Sequence, residues 1–111
     1  MNIHEALALL TQELDSETVG DLIGQFFADT PAQIANLRDA HARGDLVTLA
    51  RAAHSIVGSS STFGLQDLRS AALALEESAE AGNTAALSAQ VAAVAAAYDQ
   101  AVPALQRIIQ Q

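Results

Sequence analysis

From Ile3 to Ile109 the apolar residues of this chain recur every three or four positions, in five stretches separated by short groups of Gly, Asp, Asn or Ser. A period near 3.6 marks a helix with one buried face, whereas a strand facing a core repeats every second residue. The chain is therefore restricted to helices packed side by side. Residue types agree with the period. Half of the 111 residues are hydrophobic, but only 4% are aromatic and none is Trp, so the apolar surface is mainly Ala, Leu, Val and Ile. Small aliphatic side chains suit closely packed helices, while strands favour β-branched and aromatic ones. Six Gly and two Pro are too few for a turn-rich all-β chain.

Five helices follow from the stripes and their punctuation. Ile3, Leu7 and Leu10, with Ala6 and Leu14, predict a short opening helix. Asp15 and Ser16 are good N-caps for the second, and its early acids Glu17 and Asp21 suit the positive end of a helix dipole. The second stripe runs through Val19, Leu22, Ile23, Phe26, Phe27, Ile34 and Leu37. Pro31 lacks an N–H and clashes with the preceding turn, which predicts a kink or a restart with Thr30 near a cap. Gly44 is the expected stop and Asp45 the next N-cap. The third helix is expected over about Leu46 to Thr62, weakened at its end by Gly58-Ser59-Ser60-Ser61-Thr62 and terminated by Gly64. A fourth, from about Leu65 to Ala81, carries Leu68, Ala72, Leu75 and Ala79; Gly82 ends it. Asn83 or Thr84 caps the fifth, expected from about Ala85 to Gln110 with Leu87, Val91, Val94, Tyr98, Val102, Leu105 and Ile109 in period and a bend at Pro103. Short connections make neighbours antiparallel. The expected architecture is all-α: one domain over residues 1–111, an antiparallel up-down four-helix bundle with an additional short N-terminal helix.

Charge and composition exclude several functions. Acids outnumber bases thirteen to five, the formal net charge is −8, and every cation is Arg. Binding a phosphate backbone or an anionic membrane needs clustered Lys and Arg, so neither nucleic acid nor membrane is an expected partner. With no Cys there is no disulfide framework, thiol nucleophile or Cys-ligated metal. No apolar run approaches the length of a membrane span and the start lacks a basic signal region, so a cytoplasmic domain is expected. The initial Met and capped first helix are those expected of a complete small protein.

One face of the third helix carries chemistry. Turned at about 100° per residue, Leu46, Leu49, Ala53, Ile56 and Ser60 fall within roughly 60° of one another, and Phe63 extends this core stripe. His54 lies roughly 130° from its centre and should face solvent. Its neighbours one turn away are Ala50, Arg51, Val57 and Gly58, with Val47 and Ser61 two turns away. The face is thus a lone imidazole, one nearby cation, and small residues that leave the ring uncovered. Gly inside a helix costs about 0.5–1 kcal/mol relative to Ala. Beside an exposed His, Gly58 reads either as a place where something approaches the backbone or as a residue that merely loosens the helix near its end.

The run Ala53-His54-Ser55-Ile56-Val57-Gly58-Ser59-Ser60-Ser61-Thr62-Phe63-Gly64-Leu65-Gln66-Asp67-Leu68 resembles the core motif of the histidine-containing phosphotransfer (HPt) domain. That family has a helix bearing His, an apolar residue two on, Lys three on, Gly four on and a second Gly ten on. His54, Ile56, Gly58 and Gly64 match in register, as do Gly44-Asp45 upstream and Leu75-Glu76 in the next helix. The segment from Leu22-Ile23 to Phe26-Phe27, followed by Pro31, is similar to the family's long second helix. The family's Lys falls at Val57, which carries no charge. Arg51 on the same helix is the candidate cation, and Arg69 on the next helix a second. A unit charge about 4 Å away is worth roughly 1 kcal/mol in water and about 4 near a protein surface. Losing one cation should therefore weaken or slow the phosphorylated state without forbidding it.

Imidazole changes charge between about pH 5 and 8, so near neutrality much of it is uncharged and one ring nitrogen holds a lone pair that can attack phosphorus. Phosphoryl transfer is catalysed mainly by positioning and charge neutralisation. The chain has no Gly-rich nucleotide loop, so ATP is not an expected ligand. It also shows no tight acidic cluster for Mg²⁺. The resemblance implies that a response-regulator receiver domain supplies Mg²⁺ and the Asp. The chain itself would be a phosphoryl carrier, not an enzyme, taking the group on His54 from one receiver and passing it to another. A hybrid sensor histidine kinase is a further candidate partner. Val47, Arg51, Val57 and Gly58 form the expected docking face, and Arg51, Val57, Gly58, Ser61 and Arg69 the expected surroundings of the site. Val57 has a second reading, simple packing at the edge of the core stripe.

Other residues have plainer expectations. His4 and His41 read as solvated or capping, and three His without an i, i+4 pair make no zinc pattern. Ser59, Ser60 and Ser61 read as bonding to backbone and fraying the helix end. Glu76, Glu77 and Glu80 read as a solvated acidic face. Phe26, Phe27, Phe63 and Tyr98 read as core. Because Val57 replaces the Lys, a degenerate binding module that keeps the fold without the relay is the alternative function; a purely structural bundle is a third. No arrangement for independent catalysis is readable.

Overall fold

The computed structural model describes residues 1–109; the side chain of Ile109 and residues 110–111, with the expected helix end at Gln110, lie outside that description. Five helices follow in order: α1 (Ile3–Glu13), α2 (Ser16–Arg43), α3 (Leu46–Thr62), α4 (Gln66–Ala81) and α5 (Leu87–Ile109), with a single 3₁₀ turn at Thr84–Ala86. The starts of the first three are fixed by side chains. Asn2 accepts from the Glu5 amide, Asp15 from Thr18 and Asp45 from Thr48. Each satisfies one of the amides that a helix start leaves without a partner. The expected cap on α5 is absent. Asn83 makes no side-chain cap bond, and the chain takes one tight turn before the α-helix begins at Leu87, the first residue of the buried stripe.

Pro31 does not restart α2. The helix runs unbroken from Ser16 to Arg43, and Thr30 lies in its interior, 1% exposed, instead of capping a new start. Proline in a helix interior costs about 3 kcal/mol. Here the apolar stripe stays in phase on both sides, with Ile23 and Phe26 before it and Ile34 and Leu37 after it all buried. Restarting the helix would have turned one half of that stripe out of the core, and burying a single aliphatic or aromatic side chain is worth about 1.5–3 kcal/mol. Several such side chains outweigh one proline.

The long helices close a ring: α2 packs on α3 and α5, and α4 packs on α3 and α5. At about 1.5 Å per residue, the 28 residues of α2 match the 42 Å long axis of the molecule. Leu37, Leu49, Ile56, Leu75, Val94 and Leu105 are fully buried in the centre. At one level Phe26 meets Phe27, Phe63 and Tyr98 at ring-centroid distances of 6.0, 5.4 and 5.7 Å. These are the tilted and edge-on arrangements that aromatic quadrupoles favour, and Phe26, Phe63 and Tyr98 are buried while Phe27 is half-buried.

α1 lies outside the ring against α2, and its beginning is held by the connection between α3 and α4. Gln66 donates its side-chain amide to the Met1 carbonyl. Gly64 has φ +66°, and a Cβ there would collide with the backbone of Asn2. Only glycine meets both the left-handed turn and the close approach.

Candidate functional site

α3 turns Leu49, Ala53, Ile56 and Ser60 fully inward. This leaves His54 on the far side with 77% of its side chain exposed. Its helix neighbours follow the expected pattern. Val47 is 62% exposed, and Arg51, Gly58 and Ser61 are exposed. Gly58 meets nothing within 4 Å at the place where a Cβ would stand. Val57 lies at the edge of the stripe, half-buried and packed against the core, so the position of the family's Lys is occupied by a packing residue.

Glu76 departs from the expected solvated acidic run. It is only 9% exposed, whereas Glu77 and Glu80 are open to solvent. Its Oε2 lies 2.7 Å from His54 Nδ1. α4 turns Leu68, Ala72, Leu75 and Ala79 inward. Glu76 sits four residues past Ala72 and three before Ala79, at the edge of this stripe, where two small side chains leave room for a carboxylate. That placement, with the match of Leu75-Glu76 to the family motif, is what separates it in the sequence from its acidic neighbours. A buried carboxylate needs a partner, and as a carboxylate it has only acceptor atoms, so the shared hydrogen sits on Nδ1. The bond selects the tautomer and leaves Nε2 with the lone pair. Among the described residues no hydrogen bond reaches Nε2.

The hydroxyls that follow are turned back onto their own helix. Ser60 donates to the Ile56 carbonyl at 2.5 Å, Ser61 to Val57 at 2.7 Å and Thr62 to Gly58 at 3.2 Å. Despite its Ser content the helix does not fray before Thr62. Ser61 also accepts from Arg69 Nε at 3.1 Å, which ties Arg69 two turns from His54. The two cross-links between α3 and α4 share one antiparallel register: His54 meets Glu76, and Ser61, later on α3, meets Arg69, earlier on α4.

Arg51 lies elsewhere. With Ala50, His54, Ser55, Glu76 and Glu80 it lines a shallow, open concavity of about 450 Å³ beside the ring. Among the described residues it makes no ion pair. His4 is exposed and His41 is half-buried in the last turn of α2, and neither lines the concavity that holds His54. No group of three or more His, Asp or Glu among the described residues is placed to hold a metal ion, and no described helix is long and apolar enough to cross a membrane.

A family model described as Hpt domain matches residues 21–108 of the chain, which includes α3, α4 and nearly all of α2 and α5. Comparison with curated proteins and with solved structures gave no match.

Proposed function

The chain belongs to the Hpt domain family, the phosphotransfer modules of two-component signalling, and from that premise we propose that His54 is the phosphoryl-accepting residue of a relay carrier. The observation that carries the proposal is the His54–Glu76 pair: an imidazole 77% exposed whose Nδ1 is held at 2.7 Å by a carboxylate 12% exposed. The Nε2 lone pair attacks the phosphorus of an aspartyl phosphate. The N–P bond forms as the P–O bond to the aspartyl carboxylate breaks, and that carboxylate leaves with the electron pair. Nδ1 keeps its hydrogen throughout, so the phosphorylated ring is cationic and faces Glu76.

The partner is a response-regulator receiver domain, which brings its own Mg²⁺, and a hybrid sensor histidine kinase is the upstream source. A cytoplasmic location goes with such partners. Val47, Arg51, Val57 and Gly58 form the docking face. Gly58 supports this reading because no part of the chain itself requires a glycine there, so the open flank serves an approaching molecule. The chain carries the group and does not activate it.

Val57 favours a second reading, a module that binds receivers without accepting phosphate, since the half-buried side chain at that position supplies no charge. One experiment separates the two. Incubation with a phosphorylated receiver domain should place acid-labile, base-stable label on the wild-type chain and none on His54→Gln. Equal label on His54→Gln would falsify the assignment, and receiver binding without label on the wild type would establish the binding module.

A further inference from the structure

We propose that Arg51, one turn before His54, is the cation that neutralises the phosphoryl group, and that Glu80 on the opposite wall of the same concavity works against it. This rests on the carrier reading of His54. Two cations are candidates once Val57 is in place of a Lys, and the geometry separates them. Arg69 is engaged by the Ser61 hydroxyl at 3.1 Å, and Ser61 is itself bonded to the Val57 carbonyl. Arg69 lines a different depression, with Met1, Ser60, Gln66 and Ser70. Arg51 shares the concavity that holds the ring.

The direction of the ring agrees. Side chains on a helix lean toward its N-terminus, so the His54 ring overlies the turn of Ala50 and Arg51 and not the turn of Val57 and Gly58. The charged groups facing that space are Arg51, Glu76 and Glu80. Glu76 is committed to Nδ1. Asp45, at the start of α3, also feels Arg51, but its oxygens are bonded by the Thr48 amide and hydroxyl and approached at 3.6 Å by Arg43. Arg51 is left without a partner among the described residues. Opposite it, Glu80 lines the same concavity and has no ion-pair partner among the described residues, so its charge stands uncompensated toward a phosphoryl group there. The cation that the family places after the His has, in this chain, a counterpart before it, balanced by an acid on α4.

The test needs no receiver. Phosphoramidate phosphorylates imidazole directly: Nε2 attacks phosphorus, the new N–P bond forms, the donor's P–N bond breaks and ammonia departs. The full chain is labelled this way as wild type, Arg51→Gln, Arg51→Lys, Arg69→Gln and Glu80→Gln. The phosphoryl pKa is read by ³¹P NMR titration and the label's lifetime at neutral pH. A nearby cation favours the dianion, so Arg51→Gln should raise the phosphoryl pKa and shorten the lifetime about two- to fivefold, the size of an exposed charge pair. Arg51→Lys should restore both. Glu80→Gln should move the pKa the opposite way. If the wild type is labelled but Arg51→Gln titrates and decays like it, or if the shift follows Arg69→Gln, the role of Arg51 is overturned while the carrier stands. A wild type that takes no label, with His54→Gln as reference, overturns both.

Discussion

At the scale of the residue, the carboxylate bonded to the ring's Nδ1 has, on the proposed reading, a task beyond holding it still. On the proposed carrier reading, phosphorylation at Nε2 would leave a positive charge on the imidazole while Nδ1 stays bonded to Glu76, turning a neutral-to-charged contact into a charge-charge one. Bonds to charged groups are worth about 1.5–3 kcal/mol against about 1 for neutral ones. Glu76→Gln keeps the size and one acceptor oxygen but removes the charge. It should lower the rate of phosphoryl uptake about tenfold, measured with phosphoramidate, while circular dichroism shows unchanged helicity. An unchanged rate would reduce Glu76 to packing. The exposure of His54 was legible in the sequence because one helix period places it opposite Leu49, Ala53 and Ile56. The role of Glu76 was not. Leu75-Glu76 matches the family motif, but Glu76 stands in an acidic run beside Glu77 and its partner is on another helix, a relation that no local spacing records. Arg69 was legible as a second candidate cation on the next helix, but its capture by Ser61 was visible only in space.

At the scale of the element, the bundle is delimited by caps. The Asp45 side chain accepts from the Thr48 hydroxyl and amide, and these bonds hold its carboxyl below its ordinary value of 3.8, with the Thr48 side chain the larger cause. Asp15 is lowered in the same way by Thr18. A carboxyl with a lowered folded pKa stabilises the fold fully above its unfolded pKa. That contribution is lost as pH falls through the folded value. Asp45→Ala should therefore lower the Tm by a few degrees at neutral pH, and the gap to wild type should close as the pH drops below about 4. A gap that persists into strong acid would mean the cap acts through something other than its charge. Caps of this kind are why the boundaries of α2, α3 and α4 could be read from the chain: Asp15, Gly44, Asp45 and Gly82 each carry their own local chemistry. Of the two outcomes expected at Pro31, the restart fails because its local rule is real but loses to a stripe of buried side chains on either side, a contest decided only when α2 lies against α3 and α5.

At the scale of the whole molecule, α1 is joined to the bundle at few places, and the contact of Asn2 with Gly64 is one of them. Gly64 and Gly82 share a positive φ, +66° and +71°, but only Gly64 has backbone pressed against it. Gly82→Ala should cost about 1–2 kcal/mol, the penalty for a side chain in the left-handed region. Gly64→Ala should cost more and also detach the start of α1. Denaturant unfolding gives the first quantity and amide exchange at Ala6, whose N–H bonds to the Asn2 carbonyl, reports the second. Equal costs at the two glycines would deny α1 its anchor. On the proposed reading the same molecule separates two tasks. Glu76 meets the Nδ1 edge of the ring in the seam between α3 and α4, while Val47 stands on α3 62% exposed. If His54 carries the phosphoryl group as proposed, exchanging Val47 would alter what the surface offers a partner while the ring and its acid stay as they are.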